Sequence, residues 1–174
     1  MDKATYDRLL AKAQRTAHLF TFDEFLRFWA ADRPERLAME GDDLRFDYAG
    51  LEDATARVAS ALLAMGLVKG DRVAWFGKNS ATYFTLFFGA ARAGVVMVPI
   101  GWRLAEPEAA FIIDNAEARL LFLGDGFEGA AATLGARPGL MRCFTADEAR
   151  KLIAESPRGE FTPSGADEAV LQLY

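Results

Sequence analysis

The sequence is poor in the residues that short catalytic motifs are built from. One cysteine, Cys143, and one histidine, His18, occur in 174 residues. That excludes a disulfide framework and leaves too few ligands for a Cys/His zinc site. A single thiol fits a reducing compartment, so a cytoplasmic location is expected. The net charge is -5, and no basic stripe is present, so a nucleic-acid partner is not expected. Met1-Asp2-Lys3-Ala4 shows no basic region leading into an apolar one, so no secretory signal is read there. The longest hydrophobic run, 81 to 101, carries Arg92 at its centre, at about 3 kcal/mol on insertion scales. Gly94 and Pro99 also split it into a helix-like and a strand-like half, so no transmembrane segment is read.

What is present is the composition of a globular domain with a sizeable core, 52% apolar and 26% charged. Residues 1 to 20 read as a leading arm with a charged, mobile helix over 5 to 16. "TFDE", 21 to 24, is a capping box that opens a helix to about Asp32, before Pro34. "LAMEGDDLRFDY" reads as a hairpin around Gly41-Asp42-Asp43. Asp47 caps the clearest helix, with Leu51, Thr55, Val58, Leu62 and Met65 on one face and Gly66 as its stop.

Beyond it, strand-like runs at 72–76, 95–98, 119–123 and 140–144 alternate with helices over 80–93, 106–116, 127–134 and 145–154. This is a βαβ series, so the fold class is α/β, a layered, mostly parallel sheet with a small N-terminal hairpin. Helix 80–93 has almost no polar face, with Tyr83, Phe84, Leu86, Phe87 and Phe88 around it. It is expected between two layers of sheet. Residues 155 to 165 form a polar loop, and "AVLQLY", 169 to 174, reads as a last strand.

The candidate chemistry is sparse. "GDGFEG", 124 to 129, matches G-x-G-x-x-G after a strand, with Asp147 and Glu148 near the end of the next strand. The helix it would open is short and Ala-rich, so a plain glycine turn outweighs a dinucleotide site. His18 has no nameable partner and reads as solvent-facing or capping. Cys143 lies in an apolar strand, with Arg142 on the opposite face, and reads as an inert core thiol. Asp71 and Arg72 bracket a turn, and Glu106 and Glu108 favour a helix start. No Ser-His-Asp set can be assembled. No catalytic, cofactor-binding or metal-ligating residue is therefore named.

Trp102 and Arg103, in "PIGWRL", are weak candidates for substrate binding. They follow a buried strand at the carboxyl edge, where α/β sheets bind ligands. The weightier alternative makes Trp102 a plug in the core and Arg103 a donor to loop carbonyls.

The order of these pieces resembles the amino-terminal part of the adenylate-forming, AMP-binding enzymes, most of all the acyl-CoA synthetases. "FDYAGLEDATARVASALLAMGLVKGDRVAWFGKNS", 46 to 80, is similar to the family's first conserved region. "GAARAGVVMVPIGWRL", 89 to 104, resembles the second, and "DEAVLQLY" resembles the strand that leads into the family's phosphate loop. The likeness covers 21 to 174. Gly101 stands where acyl-CoA synthetases often carry Asn, which leaves the subfamily open.

The resemblance implies a parent enzyme that activates a carboxylic acid with ATP and Mg2+ and passes the acyl group to coenzyme A. It also implies that the phosphate loop follows Tyr174. Residues 21 to 174 then form an amino-terminal subdomain, inactive alone and with no cofactor expected bound. An apolar patch left by missing neighbours, and hence self-association, is expected. Three other readings stay open: an aryl-CoA ligase or peptide-synthetase adenylation domain, a free-standing non-catalytic α/β binding module, and a dinucleotide-binding domain.

Overall fold

An unbroken apolar run such as Val73–Phe76, which follows Arg72, can be buried on both faces in the interior of a parallel sheet. The computed structural model, which describes residues 2–174, places it there. The elements are α1 (Lys3–Thr16), α2 (Phe22–Asp32), β1 (Leu37–Glu40), β2 (Arg45–Asp47), α3 (Tyr48–Ala64), β3 (Arg72–Phe76), α4 (Ala81–Arg92), β4 (Val96–Ile100), α5 (Glu106–Asn115), β5 (Ala118–Leu123), α6 (Ala131–Leu134), β6 (Arg142–Phe144) and α7 (Ala146–Glu155). β1 and β2 form the antiparallel hairpin. The other four strands form a parallel sheet in the order β4-β3-β5-β6.

Alternation along these strands divides the core in two. Val73, Trp75, Met97, Leu120 and Phe122 face a layer made of α3, α4 and α7. Ala74, Phe76, Val98, Leu121 and Leu123 face α5 and α6. The chain winds from β3 outward to β4, then crosses back over β3 to β5. The winding sense reverses between β3 and β5, the place where ligands bind in many α/β sheets.

The helix starts follow the sequence signals closely. Thr21 accepts from Glu24 N–H at 3.2 Å, and the Glu24 carboxylate takes Thr21 N–H at 3.0 Å. The same box recurs at Thr145 and Glu148. Asp47 accepts from Gly50 N–H at 2.7 Å. The cap of α4 is Ser80, and a second cap comes from outside the helix. The carboxylate of Asp43, in the hairpin turn, accepts from Ala81 N–H at 3.0 Å and Thr82 N–H at 2.9 Å.

Two expectations need correction. Helix α4 lies between the sheet and the helices α2 and α3, not between two sheets. Its apolar girth is used against helices, through Phe22 of α2 on Phe87 and Phe88 at 5.3 and 5.2 Å between ring centroids. Phe84 remains exposed. Gly89 allows the close crossing with α3, since a Cβ there would lie 2.4 Å from Val58.

The second correction concerns the last strand. Residues 169–174 make one parallel bridge, Leu171 to Met97. Met97 N–H donates to the Val170 carbonyl at 3.0 Å, and Gln172 N–H donates to the Met97 carbonyl at 2.9 Å. The next donor from β4 on that edge belongs to Pro99, which has no N–H, so the ladder stops. Tyr174 instead donates its hydroxyl to Asn115 at 2.7 Å.

The most deeply buried charge is Arg92, at 0% exposure. Its Nε donates to Asp23 of α2 at 2.8 Å. Nη1 donates to the Glu52 carbonyl and to Thr55 Oγ1, both at 2.8 Å. Nη2 donates to Glu52 Oε1 at 2.8 Å and lies 2.7 Å from Asp23 Oδ1 as an ion pair. Burial raises the Glu52 carboxyl, but hydrogen bonds from Arg158 and Arg92 outweigh it and hold the group below its ordinary value. Asp43 shows the same balance, with burial outweighed by its bonds to Thr82 and Ala81.

Replacing Arg92 with Met leaves Asp23 with Arg27 alone and Glu52 with Arg158 alone, takes the donors from Thr55 Oγ1 and the Glu52 carbonyl, and is expected to destabilise the fold by about 3–5 kcal/mol. A loss of unfolding free energy in urea titration of less than a quarter of that size would contradict the network's role. Because the folded Glu52 and Asp43 carboxyls sit below ordinary values of 4.5 and 3.8, their contribution is complete above those values and is lost as pH falls through the depressed ones. Melting temperature is therefore expected to stay level from neutral pH down to about 5 and to drop on further acidification.

Candidate functional site

Loops at the carboxyl edge of the sheet follow β3, β4 and β5. Their positions depend on strand order, so residues far apart in sequence come together there. After β4, a turn closed by Leu104 N–H on the Gly101 carbonyl, at 2.9 Å, presents Trp102 and Arg103. Trp102 is 37% exposed and does not plug the core. The Arg103 guanidinium carbon lies 4.1 Å from the Trp102 ring centroid, and Lys78 Nζ, from the loop after β3, lies 5.1 Å from it. Among the described residues neither cation pairs with a carboxylate, and Arg103 donates to no loop carbonyl. The indole face carries the negative end of the ring quadrupole, which attracts both cations. Two exposed positive charges thus converge on one aromatic ring with hydrogen-bond donors free for an anion.

The reversal point between β3 and β5 is closed. A Cβ on Gly77 would sit 2.8 Å from Gly124 Cα, and one on Gly124 would meet the Trp75 ring at 3.0 Å. Gly124 N–H is taken by the Phe76 carbonyl at 3.0 Å. The glycines of "GDGFEG" therefore let two backbones touch over Trp75. The loop's charges are occupied as well: Asp125 pairs with Arg150 at 2.8 Å, and Gly126 N–H donates to Glu128 at 3.3 Å. Carboxylates face where a diphosphate would need donors, and a single 3-10 turn, Glu128–Ala130, precedes the four-residue α6. Asp147 pairs with the same Arg150, and Glu148 serves the Thr145 cap. The geometry is that of a structural turn.

His18 is exposed and meets the edge of Phe28 at 6.3 Å. Burial and the nearby Glu148 push the Cys143 thiol up to about 11, which suits an inert thiol. Asp71 accepts from Val68 N–H at 2.9 Å, and Arg72 donates to the Ala116 carbonyl at 2.6 Å. Glu108 takes Ala105 N–H at 2.8 Å at the start of α5. Asp71, Arg72 and Glu108 thus hold turns and helix ends. Lys78 is the residue that sequence reasoning missed. Its signal is a cation directly after a strand whose βαβ unit places it beside the "PIGWRL" loop.

Mg2+ and a triphosphate need converging carboxylates or a run of free N–H groups. Among the described residues no three His, Cys, Asp or Glu side chains are grouped to hold a metal ion. The one glycine-rich turn is filled by its own acids. Among the described residues no set fits either group by itself. No helix among the described residues is long and apolar enough to cross a membrane.

Comparison with known proteins agrees with this architecture. The AMP-binding enzyme family matches residues 26–169. The fatty acid–[acyl-carrier-protein] ligase ScoC of Streptomyces coeruleorubidus is 34% identical over 179 aligned positions, covering 100% of this chain and 32% of that protein. The long-chain-fatty-acid–CoA ligase FadD13 of Mycobacterium tuberculosis is 43% identical over 82 residues, 47% of this chain and 16% of its own length. Among solved structures, a fatty acyl CoA synthetase of M. tuberculosis superposes with a TM-score of 0.81 at 29% identity, over 90% of this chain and 32% of that one. The N-terminal domain of FACL13 from the same organism gives 0.78 at 29%, over 87% and 40%. The chain spans well under half the length of each of these relatives. With the βαβ layers, the hairpin and the carboxyl-edge loops in place, the chain belongs to the AMP-binding enzyme family.

Proposed function

We propose that residues 21–174, preceded by an arm over 1–20, are the amino-terminal subdomain of a cytoplasmic ligase. The ligase joins a carboxylic acid to the thiol of coenzyme A, using ATP and Mg2+ through an acyl-adenylate. The observation that carries this reading is the family match over residues 26–169, on a fold shared with fatty acyl CoA synthetase. ScoC, which aligns over the whole chain, is named for transfer to an acyl carrier protein. A carrier-bound thiol is therefore the second reading for the acceptor.

This chain contributes no bond-making step in that reaction, because no set among the described residues fits ATP or the metal. Its part is to support the segments that do and to offer a surface for substrate. Lys78, Trp102 and Arg103 are the substrate-binding candidates. The indole face suits a flat or apolar portion, and the two cations suit an anionic one. Phe111, Leu173 and Tyr174, at 64%, 71% and 53% exposure, provide apolar surface through which isolated chains would self-associate.

Purified 174-residue chain is expected to give no acid-dependent ATP–pyrophosphate exchange, while the product of the complete reading frame gives it with a fatty acid. Exchange by the chain alone, or none by the complete product with any carboxylic acid, would sink the reading. In the complete enzyme, Trp102→Ala and Arg103→Ala are expected to raise KM for one substrate about three- to tenfold with kcat within about twofold, the size of a cation–aromatic contact. Light scattering on the 174-residue chain should show a mass that rises with concentration; a monomer at every concentration would remove self-association.

A further inference from the structure

Residues 156–168 run over the outside of the α3–α4 layer with no secondary structure of their own. Phe161 packs against the core, and open grooves flank the segment on either side. A groove of about 890 Å3 opens between α3, α7 and residues 156–160. A cleft of about 540 Å3 opens between α2 and residues 164–170. A strap flanked by such grooves is located by discrete polar contacts more than by packing.

Those contacts start at Ser156, whose carbonyl accepts from Arg57 Nη1 at 2.9 Å, and continue at Arg158. Its Nη1 lies 2.6 Å from Glu52 Oε2 and its Nη2 lies 2.9 Å from Glu52 Oε1, a forked pair on one carboxylate. Nη1 also reaches Asp53 at 3.3 Å. Gly159 N–H donates to Ser60 Oγ at 3.0 Å. Phe161 lays its ring over the Arg92 guanidinium at 5.3 Å. Ser164 N–H donates to the Arg92 carbonyl at 3.2 Å, and its hydroxyl donates to the Ala91 carbonyl. Glu168 pairs with Lys69. Glu52 is the shared element: Oε1 takes one bond from fully buried Arg92 and one from Arg158, whose side chain is 40% exposed.

The segment downstream cannot place itself. It holds β4 by two backbone bonds at Met97, and Pro99 bars the next one. We propose that Arg158 is a positioning residue whose forked clasp on Glu52 seats the 156–168 strap and so sets where residues 170–172 meet β4. The buried Arg92–Glu52 pair is the fixed point, and Arg158 is the movable half of a latch. Nothing in the latch depends on the ligase reading.

Hydrogen–deuterium exchange tests it on the 174-residue chain. Arg158→Met keeps the stem and removes every donor. The amides of Met97, Ser164 and Gln172 are expected to exchange about tenfold faster or more, the size of a lost charge-assisted pair. The Leu121 amide, in the middle of the sheet, should stay as it was. Arg158→Lys should recover part of the protection, since an ammonium reaches Glu52 but cannot fork. Arg45→Met, which breaks an exposed pair with Glu40, should change none of these amides. Unchanged exchange at Met97, Ser164 and Gln172 in Arg158→Met overturns the proposal. So does an equal acceleration at Leu121 or loss of the fold, because Arg158 would then be a global prop.

Discussion

The structure turns on one guanidinium that water does not reach. Arg92 closes the last turn of α4, where a cation also suits the helix dipole. Its Nε and both Nη nitrogens donate to oxygens, from Asp23 on α2 and from Glu52 and Thr55 on α3. Burying a charge is costly unless it is fully paired, so no other rotation of α4 and no other neighbours satisfy it. Apolar side chains around α4 would allow several orientations; the arginine allows one. Helices α2, α3 and α4 are thereby tied together before any contact with the sheet is counted.

From that layer the rest of the architecture follows in order. The sheet presents alternate faces to two cores, one under α3, α4 and α7 and the other under α5 and α6. The reversal of winding between β3 and β5 is the usual place for a ligand in such sheets. Here Gly77 and Gly124 bring their backbones together over Trp75 and shut it. The open chemistry shifts to the β3 and β4 loops, where Lys78 and Arg103 flank the Trp102 ring.

The same guanidinium links the layer to the chain's final segment. Glu52 passes the pairing outward to Arg158, and the backbone around Arg92 holds Ser164. Pro99 interrupts the ladder that would otherwise zip this segment to β4. Polar contacts therefore do what a sheet edge does elsewhere.

Local chemistry made much of this legible in the sequence. The capping boxes at Thr21 and Thr145, the Asp47 cap, the Gly94 stop and the four apolar strand runs each depend on residues a few positions apart. The resemblance carried by 46–80 and 89–104 pointed to the family now matched. Other features depend on partners dozens of residues away. The Asp43 cap on α4, the Arg92 network and the Lys78–Trp102–Arg103 stack join residues that meet only after the strands are ordered. The neighbour of α4 was misread because an apolar surface packs on helices as well as on sheets. By itself, then, the sequence determined the elements, their ends and the α/β class, since backbone geometry and hydrophobic period act locally. The tertiary structure alone decided which charges are buried, which loop faces solvent and where the last strand stops, because electrostatic pairing and ladder bonding are set by neighbours in space.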